Sequence, residues 1–88
     1  MMQDVISAID MLLIKLERQG PGSDSVEWFL INQLKDYKRL IQHAKSKQEI
    51  ADATIGLSRF CTESMNWDTE LYRECTEITR LGRRLAKA

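Results

Sequence analysis

Long apolar runs are missing from this sequence. The longest are four residues, as at Met11–Ile14, whereas a helix that crosses a bilayer needs about 20 apolar residues. The first residues include Asp4 and no basic segment, which argues against a signal peptide. We therefore expect no membrane partner and a cytoplasmic location.

An excess of charge of either sign is missing too. Lys and Arg number 13, Asp and Glu number 13, and the formal net charge is zero. A balanced chain has no strong electrostatic attraction to nucleic acid or to an anionic membrane. Hydrophobic residues make up 43% of the 88 residues and charged residues 30%, which is typical of a folded soluble protein with one domain over residues 1–88.

Side chains that carry chemistry are scarce. Cys61 and Cys75 fall on inward-facing helix positions and are interpreted as buried free thiols, and the single histidine, His43, lies among lysines. Carboxylates are scattered over outer helix faces, and no phosphate-binding glycine loop or inward-facing E-x-x-H motif is present. We expect a protein that is not an enzyme and has no catalytic residue, cofactor or metal.

Proline occurs once, within Gly20-Pro21-Gly22, and the rest of the chain carries apolar residues at helical spacing. This pattern predicts four helices over about 3–18, 24–44, 47–63 and 69–86. With short turns between them and no convincing strand, they predict an all-α fold, a single antiparallel four-helix bundle.

Caps and glycines refine this prediction. Asp24 and Asp68 are expected to cap the second and fourth helices, and Ser46-Lys47-Gln48-Glu49 has the spacing of a capping box. Gly56 and Gly82 lie inside helices, where glycine costs about 1 kcal/mol relative to alanine. Both are therefore expected to mark close approaches between helices.

One alternative is a small DNA-binding regulator, because Ala51 and Gly56 resemble the start of a helix-turn-helix. An extra residue, Ile55, rotates the alanine by about 100° away from the partner helix. The recognition helix would also present Glu63 to phosphates, which repel it. A helical adaptor or self-associating bundle is a further alternative.

Over about 80 residues, the order and spacing of several short patterns resemble a family of small all-helical bacterial immunity proteins. Members of that family neutralise NAD(P)-hydrolysing effectors delivered by type VI secretion. The matching positions are Ile9-Asp10, Gln33-Leu34, Tyr37, Ile55-Gly56-Leu57, Phe60, Asp68-Thr69-Glu70-Leu71 and Gly82 with an Arg and a Leu after it. Gly20-Pro21-Gly22 and the two cysteines fall outside the pattern, which leaves the kind of toxin open.

The resemblance implies a stoichiometric inhibitor that binds the catalytic domain of a cognate toxin and blocks its active site. The surface best suited to such contact is the end of the third helix and the loop after it, because Trp and Arg are enriched among interface hot spots. The predicted partner-binding residues are Arg59, Glu63, Asn66, Trp67 and Asp68. In the alternative interpretation, Arg59 and Glu63 form an ordinary surface pair and Trp67 packs against Tyr72 to staple the fourth helix.

Overall fold

The computed structural model describes all 88 residues and contains four α-helices and no strand. The helices are α1 (Met2–Arg18), α2 (Val26–Gln42), α3 (Lys47–Ser64) and α4 (Glu70–Lys87). Helix α1 packs on α2, α2 on α3, α3 on α4, and α4 closes back on α1. Because short connections join consecutive helices, neighbours run antiparallel, and the predicted four-helix bundle is confirmed.

The core lies along the bundle axis and receives apolar side chains from every helix. On α1 the buried residues recur at helical spacing, whereas Met11 is 72% exposed. The buried hydrophobic residues are Val5, Ile6, Ile9, Leu12, Leu13, Leu16, Leu30, Ile31, Leu34, Tyr37, Ile41, Ile50, Leu57, Cys61, Met65, Cys75 and Ile78.

The N-terminus of α2 differs from the prediction. The Ser25 side chain, not that of Asp24, accepts the hydrogen bond from the backbone amide of Trp28 at 3.1 Å. Asp24 instead adopts a positive φ of 70° in the turn. Asp is one of the residues that tolerate this left-handed conformation in turns. Asp24 therefore occupies the turn, and Ser25 caps the helix.

At the start of α3 the predicted cap is present. Ser46 accepts a hydrogen bond from the Glu49 amide at 3.2 Å. The Glu49 carboxylate reaches back to the amide of Lys45 at 2.6 Å, one residue before the position that a capping box uses. The helix therefore begins at Lys47, as predicted.

The two helix glycines have opposite environments. Gly82 is buried, and a Cβ built on it would lie 2.1 Å from the Tyr37 hydroxyl oxygen and 2.8 Å from Thr54 Oγ1. No atom lies within 4 Å of a Cβ built on Gly56. Gly82 thus marks a close approach as predicted, whereas that prediction was wrong for Gly56, which faces open space.

Tyr37 and Thr54 meet Gly82 at the position where the glycine has no side chain. Tyr37 Oη and Thr54 Oγ1 are 2.8 Å apart in a buried hydrogen bond, and Thr54 Oγ1 also donates to the carbonyl of Ile50 at 2.8 Å. Burial raises the pKa of the Tyr37 phenol, while its hydrogen bond to Thr54 acts in the opposite direction. Since Tyr37 is on α2, Thr54 on α3 and Gly82 on α4, this contact joins three helices.

Ion pairs connect α1 to both of its neighbours on the surface. Lys38 Nζ lies 2.7 Å from Asp10 Oδ1, and Lys15 Nζ lies 2.9 Å from Glu74 Oε1. Exposed pairs of this kind contribute at most about 1 kcal/mol. They help to set the register of the helices, and apolar burial provides most of the stability.

We predict that Gly82→Ala lowers the free energy of unfolding by about 1–3 kcal/mol, because the new methyl group overlaps the Tyr37 hydroxyl. Gly56→Ala is the matched control and should raise stability by about 0.5–1 kcal/mol, because an exposed helical glycine is replaced without a clash. Urea denaturation measures both. Adding Tyr37→Phe to Gly82→Ala should recover part of the loss; equal effects of the two glycine variants would contradict this account.

The Tyr37 phenol should also make stability depend on pH in the alkaline range. Its pKa is raised in the folded state, so the folded chain holds the proton more tightly than the unfolded chain, whose tyrosine pKa is about 10. The associated stability is complete below that pH and is lost as pH rises through the folded-state pKa. Denaturation curves of the natural protein and Tyr37→Phe should therefore show a steeper alkaline decline for the natural protein.

Candidate partner-binding surface

The connection between α3 and α4, Met65–Thr69, has contacts at both of its ends. Met65 is buried in the core, and the side-chain oxygen of Asn66 accepts a hydrogen bond from the Asp68 amide at 3.1 Å. The backbone carbonyl of Asn66 accepts from the Thr69 hydroxyl at 2.7 Å. The loop is thus anchored in the core at one end and closed by a hydrogen-bonded turn at the other.

Trp67 is fixed by two contacts and still faces solvent. Its indole Nε1 donates to the carbonyl of Thr62 at 2.9 Å, which satisfies one of the carbonyls left free at the end of α3. Its ring stacks on Tyr72 of α4, with centroids 6.2 Å apart and planes 26° apart. The residue is nevertheless 63% exposed. Trp67 is therefore an exposed aromatic side chain with a defined orientation.

Arg59 and Glu63 are both exposed on the outer side of α3, as expected from their spacing. Neither takes part in an ion pair. The alternative in which they form a surface pair with each other is thus not what the structure contains. Both charged groups can therefore contact a partner without first breaking an ion pair within the chain.

Asp68 does not cap α4, and that prediction was wrong. The cap is Thr69, whose hydroxyl oxygen accepts from the Tyr72 amide at 3.2 Å, and α4 begins at Glu70. The predicted contact between Trp67 and Tyr72 is present, but it is one residue out of register for a hydrophobic staple around this cap. The Asp68 carboxylate has no partner within the chain and is exposed.

We call Arg59, Glu63, Asn66, Trp67 and Asp68 the Trp67 ridge. All five are exposed, on the end of α3 and the loop that follows it. Ile55 extends the ridge along α3, because it lies one helical turn before Arg59 and is 52% exposed. From the sequence, Ile55 belongs to the family pattern and is the extra residue of the helix-turn-helix pattern. Its four-residue spacing from Arg59 is the signal that could have placed it on the ridge.

The larger clefts of the molecule lie outside the Trp67 ridge. The most voluminous, about 630 Å³, lies between α2 and α3 and is lined by Arg39, Leu40, His43, Glu49, Asp52 and Ala53. A second cleft continues it along the same two helices toward Gly56. Together they form what we call the α2–α3 groove.

The two cysteines are buried and unbonded, as predicted. The neighbouring Cys61 thiol, together with burial, raises the pKa of the Cys75 thiol well above its ordinary range. A thiol that stays protonated and is shielded from solvent is a poor nucleophile. This pair therefore belongs to the core.

No group of three or more His, Cys, Asp or Glu side chains is arranged to hold a metal ion. None of the four helices combines the length and hydropathy that a bilayer span requires. No protein-family model, curated protein or solved structure matches the chain.

The capping assignment predicts a contrast between adjacent residues. Thr69→Ala should lower the free energy of unfolding by about 1 kcal/mol, because the amide of Tyr72 loses its acceptor. Asp68→Ala should change it by less than about 0.5 kcal/mol, since that carboxylate makes no contact. Thermal denaturation of the two variants measures the difference. A larger loss of stability for Asp68→Ala than for Thr69→Ala would show that Asp68 is the cap.

Proposed function

We propose that this chain is a non-catalytic immunity protein that binds the catalytic domain of a cognate secreted antibacterial toxin and blocks its active site. The observation that carries the proposal is that Trp67 is 63% exposed although a hydrogen bond and a ring stack fix its orientation. A large apolar side chain in water has no stabilising role that requires this exposure. A contact with another molecule would account for it, because tryptophan is enriched at protein interfaces.

Fixing the side chain in advance favours binding. An interface side chain that must be immobilised on association costs about 0.5–1.5 kcal/mol of conformational entropy. For Trp67 that cost is already met in the free protein, through the Thr62 carbonyl and the Tyr72 ring. Tryptophan is also among the residue types that most often dominate binding energy.

The charges of the ridge support specificity. Arg59, Glu63 and Asp68 are exposed and have no ion-pair partner within the chain, so no internal bond must break before they contact a toxin. Positive and negative groups beside an aromatic anchor discriminate between partners and accelerate encounter. An exposed aromatic side chain flanked by charges suits contact with a concave active site.

The DNA-binding alternative has lost the feature that suggested it. Helix α3 runs without a break from Lys47 to Ser64, so there is no turn at Gly56 to separate a supporting helix from a recognition helix. The ridge also carries two carboxylates against one guanidinium, which disfavours contact with phosphates. A protein partner fits this surface better than a duplex does.

The proposal predicts that replacing Arg59, Glu63 and Trp67 by alanine together lowers affinity for the toxin at least about 100-fold, since hot-spot residues cost about 2 kcal/mol or more each. The partner is the product of the adjacent toxin gene, or the protein that co-purifies from the native host in a one-to-one ratio. Calorimetry gives the affinity and stoichiometry, and inhibition of the isolated toxin domain gives the activity.

The matched control replaces Glu17, Lys35 and Trp28, one acid, one base and one tryptophan on α1 and α2, and should leave affinity within about threefold. Circular dichroism checks that both triple variants remain folded. Unchanged affinity of a folded ridge variant would reject this surface. Salt-dependent binding to duplex DNA, with no protein captured, would reject the inhibitor function itself.

A further inference from the structure

Helix α2 carries a second row of residues at heptad spacing, separate from the row that faces the core. Its members are Val26, Phe29, Gln33, Asp36, Leu40 and the capping residue His43, spaced alternately three and four apart. Phe29 is 43% exposed and Leu40 is 48% exposed, and no other helix of the bundle covers them. Alternate spacing of three and four is the pattern with which one helix packs along another. We call this row the outer seam of α2.

The α2–α3 groove runs beside the outer seam and is open to solvent. Leu40 lines both parts of it, opposite Ala53 of α3. Farther along the same side of α3 is Gly56, and open space surrounds the position where its Cβ would be. Small residues on one wall allow the backbone of an additional helix to approach closely. Gly56 therefore leaves this part of the groove open to solvent.

A second copy of α2 matches the order of residues in the outer seam. If the row is placed against its own copy in antiparallel orientation, about a point between Leu34 and Lys35, Phe29 falls opposite Leu40 and Val26 opposite His43. At the centre, Gln33 falls opposite Asp36. Phe29 of the first copy then meets Leu40 of the second, and Leu40 of the first meets Phe29 of the second. This reciprocity is the condition for a two-fold interface.

The pairs are chemically complementary as well as symmetric. Phe29 and Leu40 bury apolar surface against each other at both ends of the seam. The side-chain amide of Gln33 can donate to the Asp36 carboxylate, which in the single chain has only a 3.4 Å contact with the exposed Arg39. A polar pair in the middle of an apolar seam fixes the register of two helices, because any shift leaves it unpaired.

We propose that two copies of the chain associate through this seam. Antiparallel copies of α2 pair along it, and Phe29 of each copy enters the α2–α3 groove of the other beside Leu40 and Ala53. The seam spans about 25 Å of helix, so the interface is at the small end of specific protein contacts, and association is expected at micromolar concentrations. The proposal does not rest on the immunity function, because the seam contains none of the residues of the Trp67 ridge.

Sedimentation equilibrium of the full chain, from low micromolar to millimolar concentration, tests association. The natural protein should show a reversible monomer–dimer equilibrium. Leu40→Glu should weaken it at least about tenfold, since it places a carboxylate opposite Phe29 at both ends of the two-fold seam. Ile14→Glu on α1 removes a side chain of similar exposure outside the seam and should leave the equilibrium unchanged. A chain that stays monomeric at every concentration overturns the proposal, as does equal weakening by Ile14→Glu.

Two changes at Gln33 test the register, because they should act in opposite directions. Gln33→Lys places an ammonium group opposite Asp36 and should tighten association several-fold, whereas Gln33→Glu places two carboxylates together and should weaken it several-fold. Gln33 is exposed in the single chain, so neither change should prevent folding, and thermal denaturation verifies this. Effects of the same sign for Lys and Glu would overturn the antiparallel pairing even if a dimer forms.

Discussion

The close approach of Tyr37, Thr54 and Gly82 is the constraint on which the arrangement of the helices depends most. Tyr37 extends from α2 across the bundle axis to the diagonally placed α4, and its hydroxyl reaches the space left by the missing side chain of Gly82. The hydrogen bond with Thr54 satisfies a polar group that would be costly to bury alone. Since any shift of α2, α3 or α4 along its axis breaks this contact, it sets the register of three helices at once.

A bundle fixed in this way can hold surface side chains in defined positions. The short connection after α3 is anchored by Met65 in the core, and Trp67 is held between the end of α3 and Tyr72. The outer seam of α2 has a comparable origin: one side of the helix is committed to the core, so Phe29 and Leu40 remain on the other side. The defined positions of surface side chains and the exposure of Phe29 and Leu40 thus both result from the packing of the core.

Sequence periodicity was sufficient for the four helices and most of the core, because burial of one apolar face per helix dominates the folding of a small domain. It was insufficient for local ends. Asp24 and Asp68 have the right chemistry for caps, but Ser25 and Thr69 have the extended backbone that a cap requires. The exposure of the candidate surface could be predicted from Arg59 and Glu63, whereas the fixed orientation of Trp67 depends on the Thr62 carbonyl and on the ring of Tyr72.

Gly56 and Gly82 show most clearly what the sequence determines and what the tertiary structure determines. The sequence alone determined that both lie in helices, that the chain forms an all-α bundle and that its charges balance. Tertiary structure alone decided that α4 brings Gly82 against Tyr37, whereas Gly56 opens onto the α2–α3 groove. The physical reason is that helical period specifies which residues share a face, but the rotation and spacing of whole helices decide which of those faces meet.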